Sequence, residues 1–280
     1  MSRTMRLSRV FFAAAMIALG ITGFVNGDLA LVWQQIPITD MPGHTVIAYV
    51  CALIELSTGI GLLIEPLTTL ACRVLFPFML LWVVLLKIPV LLSAPGQMDS
   101  WGGLGEISII TAGSWCLFAA HAGEWEVRHL GFAVGERGFR AARWLLVISL
   151  PLIGLVVLVQ GATYTLPAWL AWLPRSVDWV YLSGLGSLAA CCGILFGVWP
   201  RLAAVMEAAM LAVVTIWFWG PMLHTGRTAT TAFLISSLIV GGVWLVSDTY
   251  GSLPWLAAGH PLWGEGTGSA APPAMQRPPI

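Results

Sequence analysis

Apolar residues run along this chain in long, uninterrupted stretches. Eight such stretches cover approximately residues 10–27, 45–64, 70–92, 101–120, 143–164, 177–198, 202–222 and 229–247. Each is long enough to cross a bilayer core of about 30 Å as a helix, which takes about 20 residues. Strands of a membrane barrel would alternate apolar and polar positions, and these runs do not. The pattern predicts an all-α integral membrane protein with eight transmembrane helices.

The composition agrees with this pattern. The chain has 280 residues, of which 58% are hydrophobic and 9% charged, and its mean hydropathy is +0.87. Soluble domains carry about 25% charged residues, so a soluble enzyme or binding domain is excluded. The formal net charge is zero, and no nucleic-acid partner is expected. The lipid bilayer is the expected surrounding of the protein.

The arginines are distributed unevenly between the two ends of the predicted helices. With the N-terminus in the cytoplasm, ten of them fall inside: Arg3, Arg6, Arg9, Arg73, Arg128, Arg137, Arg140, Arg143, Arg201 and Arg277. Arg175 and Arg227 fall outside, and Lys87 lies within a span. Because cytoplasmic loops carry the excess of Lys and Arg, we predict a multi-pass protein with both termini in the cytoplasm.

Two parts of the chain resemble each other. The segment "AYVCALIELSTGIGLL" (48–63) aligns with "VYLSGLGSLAACCGIL" (180–195) at an offset of 132, and Pro89 then aligns with Pro221. Nearer the N-terminus the offset becomes 134, and Arg9 aligns with Arg143. Because each copy has an even number of spans, both copies would insert with the same orientation. The repeat predicts two parallel four-helix units.

The repeat divides the chain into four segments. Residues 1–120 form the first unit, 121–142 a polar cytoplasmic linker, 143–250 the second unit, and 251–280 a flexible tail rich in Gly and Pro. The first span resembles a secretory signal peptide, because arginines precede "VFFAAAMIALGITGFV". Since this span has a counterpart in the fifth span, we expect it to belong to the fold.

A lysine interrupts the third apolar stretch, within "LLWVVLLKIPVLL" (80–92). An ionisable group inside a span costs about 2.5–3.5 kcal/mol on insertion scales, so it needs a partner or a function. Lys87 and Glu106 lie at equal depth on helices joined by the loop "SAPGQMDS", as an ion pair requires. Two interpretations stay open: the lysine is structural, either paired with Glu106 or reaching the headgroups, or the pair lines an outward-opening pocket.

Glu55 lies near the centre of the second span, too deep for its carboxyl to reach either surface. It is protonated, paired with Lys87, or part of a proton or ligand site. His44 stands beside Asp40 in the preceding outer loop, where it caps the helix or lies near the mouth of the pocket. We take Glu55, Lys87, Glu106 and His44 as the candidate ligand-binding residues.

The second half lacks counterparts of these charges. The repeat aligns Ser187 with Glu55 and Trp219 with Lys87. Any site is therefore expected in the first half, with the second half as scaffold. Glu207, near the start of the seventh span, is expected to reach the interface or to pair with Arg201.

Metal and thiol chemistry have little support in the sequence. The five cysteines are Cys51, Cys72, Cys116, Cys191 and Cys192, and all fall within predicted spans without a Cys-x-x-Cys pair. No spacing of His, Cys or carboxylates within a span matches a metal site. No intrinsic metal or cofactor is predicted.

Three segments carry a resemblance to a known family: "RVFFAAAMIALGITGFVNGD", "AYVCALIELSTGIGLL" and "LLWVVLLKIPVLLSAPG". They resemble the DoxX/DoxD family of membrane proteins, and the resemblance covers about residues 6–120 and 140–247. In that family a four-span unit begins with a basic residue before a Gly-rich helix, and its third helix ends in a polar residue shortly before a proline. The resemblance implies a bacterial inner-membrane protein associated with quinone-linked redox enzymes.

Three functions stay open. The first is an accessory or anchor subunit of a quinone-linked redox system, with a quinone near Glu55, Lys87 and Glu106, where a carboxyl and a hydrogen-bond donor lie beside an apolar slot. The second is a small-solute or proton-coupled transporter whose pathway follows the interface between the halves. The third is a structural subunit of a larger membrane complex. A non-catalytic subunit is expected rather than an enzyme.

Overall fold

Eight long helices account for the membrane spans predicted from the sequence. The computed structural model describes residues 3–30, 43–161, 176–259 and 261–264. Its long helices are α1 (Arg3–Asn26), α2 (His44–Leu63), α3 (Glu65–Ser93), α4 (Met98–Ala120), α5 (Gly135–Gln160), α6 (Ser176–Phe196), α7 (Pro200–Thr225) and α8 (Arg227–Asp248). All eight are long and apolar enough to cross a membrane. Within the described ranges there is no strand, and the predicted all-α membrane class is confirmed.

The segment between α4 and α5 is more helical than a polar linker over 121–142. A short helix spans Glu124–His129, and α5 begins at Gly135, eight residues before the predicted span. Apolar patterning marks where a helix enters the apolar layer, so it misses helical turns that extend beyond that layer. Glu126 ties this segment to α3, because its Oε2 accepts a hydrogen bond from Arg73 Nη2 at 2.9 Å.

Consecutive helices pack side by side, and two of them form the centre of the bundle. Each helix from α1 to α7 packs against the next one, and α8 closes the ring onto α1. α4 and α8 also pack against each other across the ring. In their apolar windows 72% and 78% of the residues are buried, against 44% or less in the other six helices. The outer six helices therefore offer apolar surface to the lipid.

Glycines allow the closest approaches between helices. A Cβ added to Gly113 of α4 would lie 2.5 Å from the Cα of Gly242 in α8. A Cβ added to Gly20 of α1 would lie 2.6 Å from the backbone nitrogen of Leu56 in α2. Small residues at lipid-embedded interfaces allow such backbone contact, which dispersion then stabilises.

α3 and α7 each contain a π-helical turn before a proline. The turns Val83–Lys87 and Thr215–Trp219 end two residues before Pro89 and Pro221. Proline lacks a backbone N–H and its ring clashes with the preceding turn, so the backbone widens locally. In α3 this irregular turn carries Lys87.

Candidate functional site

A polar cavity opens between α1, α2 and α8 on the face opposite the N-terminus. Its volume is about 10 Å³, which is about the space that one water molecule needs. Six polar side chains contribute to its lining: Thr22, Asn26, Asp28, Glu55, Arg227 and Thr231.

An ionic cluster forms the mouth of this cavity. Gly27 adopts φ +62° and ends α1 in the left-handed conformation, which places Asp28 at the start of the following turn. Arg227 Nη2, at the start of α8, lies 2.8 Å from Asp28 Oδ2 and donates to the Leu29 carbonyl at 3.1 Å. His44 Nε2, at the start of α2, lies 3.3 Å from Asp28 Oδ1. The three helix ends are thus held together around one carboxylate.

Asp28 is ionised at neutral pH. Partial burial raises its pKa, but the hydrogen bonds from Arg227 and the Leu29 N–H, together with the charges of Arg227 and His44, lower the pKa more, so that it lies below its usual value. The mouth therefore presents a carboxylate that is paired with the Arg227 guanidinium and contacted by the His44 imidazole.

Glu55 lies at the inner end of the cavity. Its exposed fraction is 2%, and it lies about 16 Å along α2 from the first residue, His44, at 1.5 Å per residue. Ala48 and Ala52 precede it by two turns and one turn on the same face of α2. Because both side chains are small, they leave the space above the carboxyl open. The cavity can hold about one water molecule between a buried carboxyl and a charged mouth.

Lys87 and Glu106 form a second polar group on α3 and α4. Lys87 is 9% exposed, and its charge interacts with that of Glu106. The lysine amino group packs against α4 at Gly103, where a side chain would crowd it: a Cβ added to Gly103 would lie 3.2 Å from Lys87 Nζ. The cation in the third apolar stretch thus lies against the neighbouring helix of its own hairpin.

The structure therefore separates the four candidate residues into two groups. Glu55 lines the cavity, and His44 contacts Asp28 at its mouth. Lys87 and Glu106 interact with each other and are absent from the cavity lining. Asp40, predicted beside His44, lies outside the described residues.

Sequence reasoning missed Asp28 and Arg227. Both stand at helix ends, where an apolar pattern stops and gives no information on what lies together. The one available signal was the position of Arg227, since the positive-inside rule expects few arginines on that side.

A buried carboxyl also occurs in the second half. Glu207 is 2% exposed and accepts a hydrogen bond from Ser187 Oγ at 2.8 Å. The expected pairing with Arg201 is wrong: Arg201 donates to the Leu253 carbonyl at 2.9 Å and lies over the Trp255 ring. Arg201 stands in the first turn of α7 and faces the C-terminal segment, whereas Glu207 lies deeper and faces α6. The expected scaffold half thus contains an ionisable group of its own.

Among residues 3–30, 43–161, 176–259 and 261–264, no three His, Cys, Asp or Glu side chains are placed to hold a metal ion. All five cysteines are free thiols, and four of them are buried. Comparison of the chain with protein-family models, with curated proteins and with solved structures found no match. The function is therefore inferred from the geometry.

Proposed function

We propose that this protein is an accessory or anchor subunit of a quinone-linked redox system, of the DoxX type, and that a quinone head group binds beside Glu55. The cavity there holds about one water molecule, so α1, α2 and α8 must separate to admit the ring. The observation that carries the proposal is the buried Glu55 carboxyl at the inner end of a polar cavity. A quinone takes up protons at its carbonyl oxygens when it is reduced, and a positioned carboxyl can exchange those protons. Asn26 and Thr231 line the same cavity and offer hydrogen-bonding groups to the oxygens.

We further propose that the chain is built of two parallel four-helix units, as the DoxX resemblance implies. The two π-helical turns are related by the offset of 132 that also aligns Pro89 with Pro221. Arg9 contacts His121 just after α4, and its aligned counterpart Arg143 contacts Tyr250 just after α8. Duplication would produce such matched contacts, because equivalent helices meet equivalent partners.

A structural role in a larger membrane assembly is the second candidate. The proximity of Lys87 and Glu106 favours it, because a buried lysine with a carboxyl on the neighbouring helix of its hairpin needs no ligand. Transport along the interface between the halves has less support. Gly113 and Gly242 bring the backbones of α4 and α8 together there, which closes the interface at this depth.

The test is to measure which quinones remain bound to the purified protein. The protein is produced in a quinone-containing bacterium, extracted in mild detergent and analysed by mass spectrometry after organic extraction. Native protein is compared with Glu55→Leu, which removes the donor to the quinone oxygen, with Lys87→Met and with the control Glu124→Gln. Glu124 is 92% exposed and lies on the opposite face of the bundle, so its variant also removes a carboxylate but leaves the cavity unchanged.

We expect quinone with native protein and with Glu124→Gln, and about fivefold less with Glu55→Leu, since a hydrogen bond from a neutral carboxyl to a quinone oxygen contributes about 1 kcal/mol. Quinone that is lost in Lys87→Met but retained in Glu55→Leu would assign the ligand to the α3–α4 hairpin and overturn the cavity assignment. Native protein without quinone would overturn the proposal. Subunits that copurify equally with all variants would then favour the structural role.

A further inference from the structure

A second cavity lies on the N-terminal face, at the other end of the bundle from the mouth formed by Asp28. It lies among the start of α1, the start of α3, the end of α4 and the start of α5. Its volume is about 570 Å³. Its charged and titratable lining residues are Arg6, Arg9, Glu65 and His121.

Arg9 is the unusual member of this lining. It is 7% exposed, and a guanidinium carries five N–H donors. Among the described residues it makes one hydrogen bond, from Nη1 to His121 Nε2 at 3.4 Å, and its Nε is buried without a partner. No carboxylate in the part of the chain that the structure describes contacts this guanidinium. Because an unpaired buried cation is costly, the position favours an anion in the cavity.

His121 is a neutral imidazole and therefore does not balance the charge of Arg9. Its Nδ1 lies 2.9 Å from the Leu117 carbonyl oxygen, so Nδ1 carries the proton and Nε2 accepts from Arg9. Burial lowers the pKa of His121 and the Arg9 charge lowers it further, against the opposing effect of the Leu117 hydrogen bond. With Arg6 and Arg9 against the single carboxylate of Glu65, the lining is net positive at neutral pH.

Arg143 is a second buried arginine, and its guanidinium, unlike that of Arg9, has several hydrogen-bond partners in the protein. It aligns with Arg9 at the offset of 134 and is 5% exposed. It contacts Glu136 Oε1 at 3.0 Å, donates to Thr249 Oγ1 at 2.9 Å and to the Thr249 carbonyl at 2.8 Å, and lies 4.3 Å from the centroid of the Tyr250 ring. Two arginines of similar burial thus differ in their contacts: Arg143 contacts several protein groups, whereas Arg9 makes one long hydrogen bond to His121 and lines a cavity.

We propose that the cavity around Arg9 binds an anionic phosphate group, with Arg9 and Arg6 as its cationic ligands. The guanidinium fork matches the oxygens of a phosphate in a bidentate arrangement. The group belongs either to an anionic lipid, since the cavity lies at the ends of membrane-spanning helices, or to a soluble phosphate ester. This site is independent of the proposed quinone cavity, because the two lie on opposite faces.

The test measures phosphate-group binding to detergent-purified full-length protein by native mass spectrometry. The probes are phosphatidylglycerol, phosphatidylcholine and glycerol phosphate, and the variants are Arg9→Gln, Arg9→Lys and Arg128→Gln. Arg128 lies on the same face, 74% exposed and 3.6 Å from Glu124, so its variant removes an equal charge away from the cavity.

Native protein and Arg128→Gln are expected to bind phosphatidylglycerol in preference to phosphatidylcholine, and Arg9→Gln about tenfold more weakly. Competition by glycerol phosphate would identify a soluble ester as a ligand, and its absence would identify the lipid. Arg9→Lys keeps the charge but loses the fork, so it should bind more weakly than native protein even if Arg9→Gln fails to fold. Native-like binding by Arg9→Gln or Arg9→Lys, or no binding by native protein, would overturn the proposal.

Discussion

Replacing Arg143 with methionine should destabilise the protein far more than the same change at Arg9. Methionine keeps much of the apolar stem that packs in each helix and removes the guanidinium. At Arg143 the change deletes two hydrogen bonds to Thr249, the contact with the Tyr250 ring and the ion pair with Glu136. At Arg9 it deletes one hydrogen bond of 3.4 Å.

The magnitude follows from these contacts. A hydrogen bond to a charged group contributes about 1.5–3 kcal/mol, and a cation over an aromatic ring about 0.5–2 kcal/mol. The ion pair with Glu136 contributes less than about 1 kcal/mol, because that carboxylate is mostly exposed. Removing the guanidinium also removes its desolvation cost, which offsets part of the sum. We expect a net loss of about 3 kcal/mol for Arg143→Met, and at most about 1 kcal/mol in either direction for Arg9→Met.

The assay is thermal unfolding of the purified protein in one detergent, without anionic lipid or phosphate. A loss of about 3 kcal/mol corresponds to a decrease in Tm of about 6–12 °C in a chain of this size. Adding phosphatidylglycerol should then raise the Tm of native protein and of Arg143→Met, but not of Arg9→Met. Equal decreases for the two variants in lipid-free detergent would refute the contrast between a satisfied and an unsatisfied arginine.

Three further predictions concern packing and charge elsewhere in the bundle. Gly113→Val should lower the free energy of unfolding by about 1–3 kcal/mol, because its Cβ would lie 2.5 Å from the facing backbone of α8. The control is Gly102→Ala on the same helix. Its Cβ would lie 3.6 Å from its nearest neighbour, so this variant should unfold at nearly the native temperature. Ser187→Ala should lower the free energy of unfolding by about 1–2 kcal/mol, because it leaves the Glu207 carboxyl without the hydroxyl that donates to it. In a thermal double-mutant cycle, adding Glu207→Leu should recover most of that loss. Additive losses for the two substitutions would contradict this prediction. The pKa of Asp28 is lowered on folding from 3.8, so its contribution is complete above about pH 5 and is lost as pH falls through 3.8 toward the folded value. The Tm difference between native protein and Asp28→Asn should therefore vanish in acid, and a difference that grows with acidity would exclude this role.

Much of the candidate site followed from patterns within single helices. Lys87 and Glu106 stand at similar depths on two helices joined by a short loop, so their proximity could be inferred from rise per residue alone. The depth of Glu55 was equally readable, because counting along a span gives distance from the surface. The partner of each group was harder to predict, as the wrong pairing of Glu207 with Arg201 shows. Depth along a helix says nothing of which side of the helix faces which neighbour.

By itself, the sequence determined the class, the number of spans and their approximate limits. A bilayer imposes one length and one polarity on every crossing segment, so these features are local and additive along the chain. Only the tertiary structure decided that α8 packs between α1 and α4, that Asp28, His44 and Arg227 meet at one mouth, and that Arg9 faces a cavity. Those contacts join residues up to 240 positions apart in the chain, and packing of small residues between helices selects them. The hydropathy of an apolar helix is nearly the same however the helix is rotated about its own axis. Close packing against the neighbouring helices is possible at very few of those rotations.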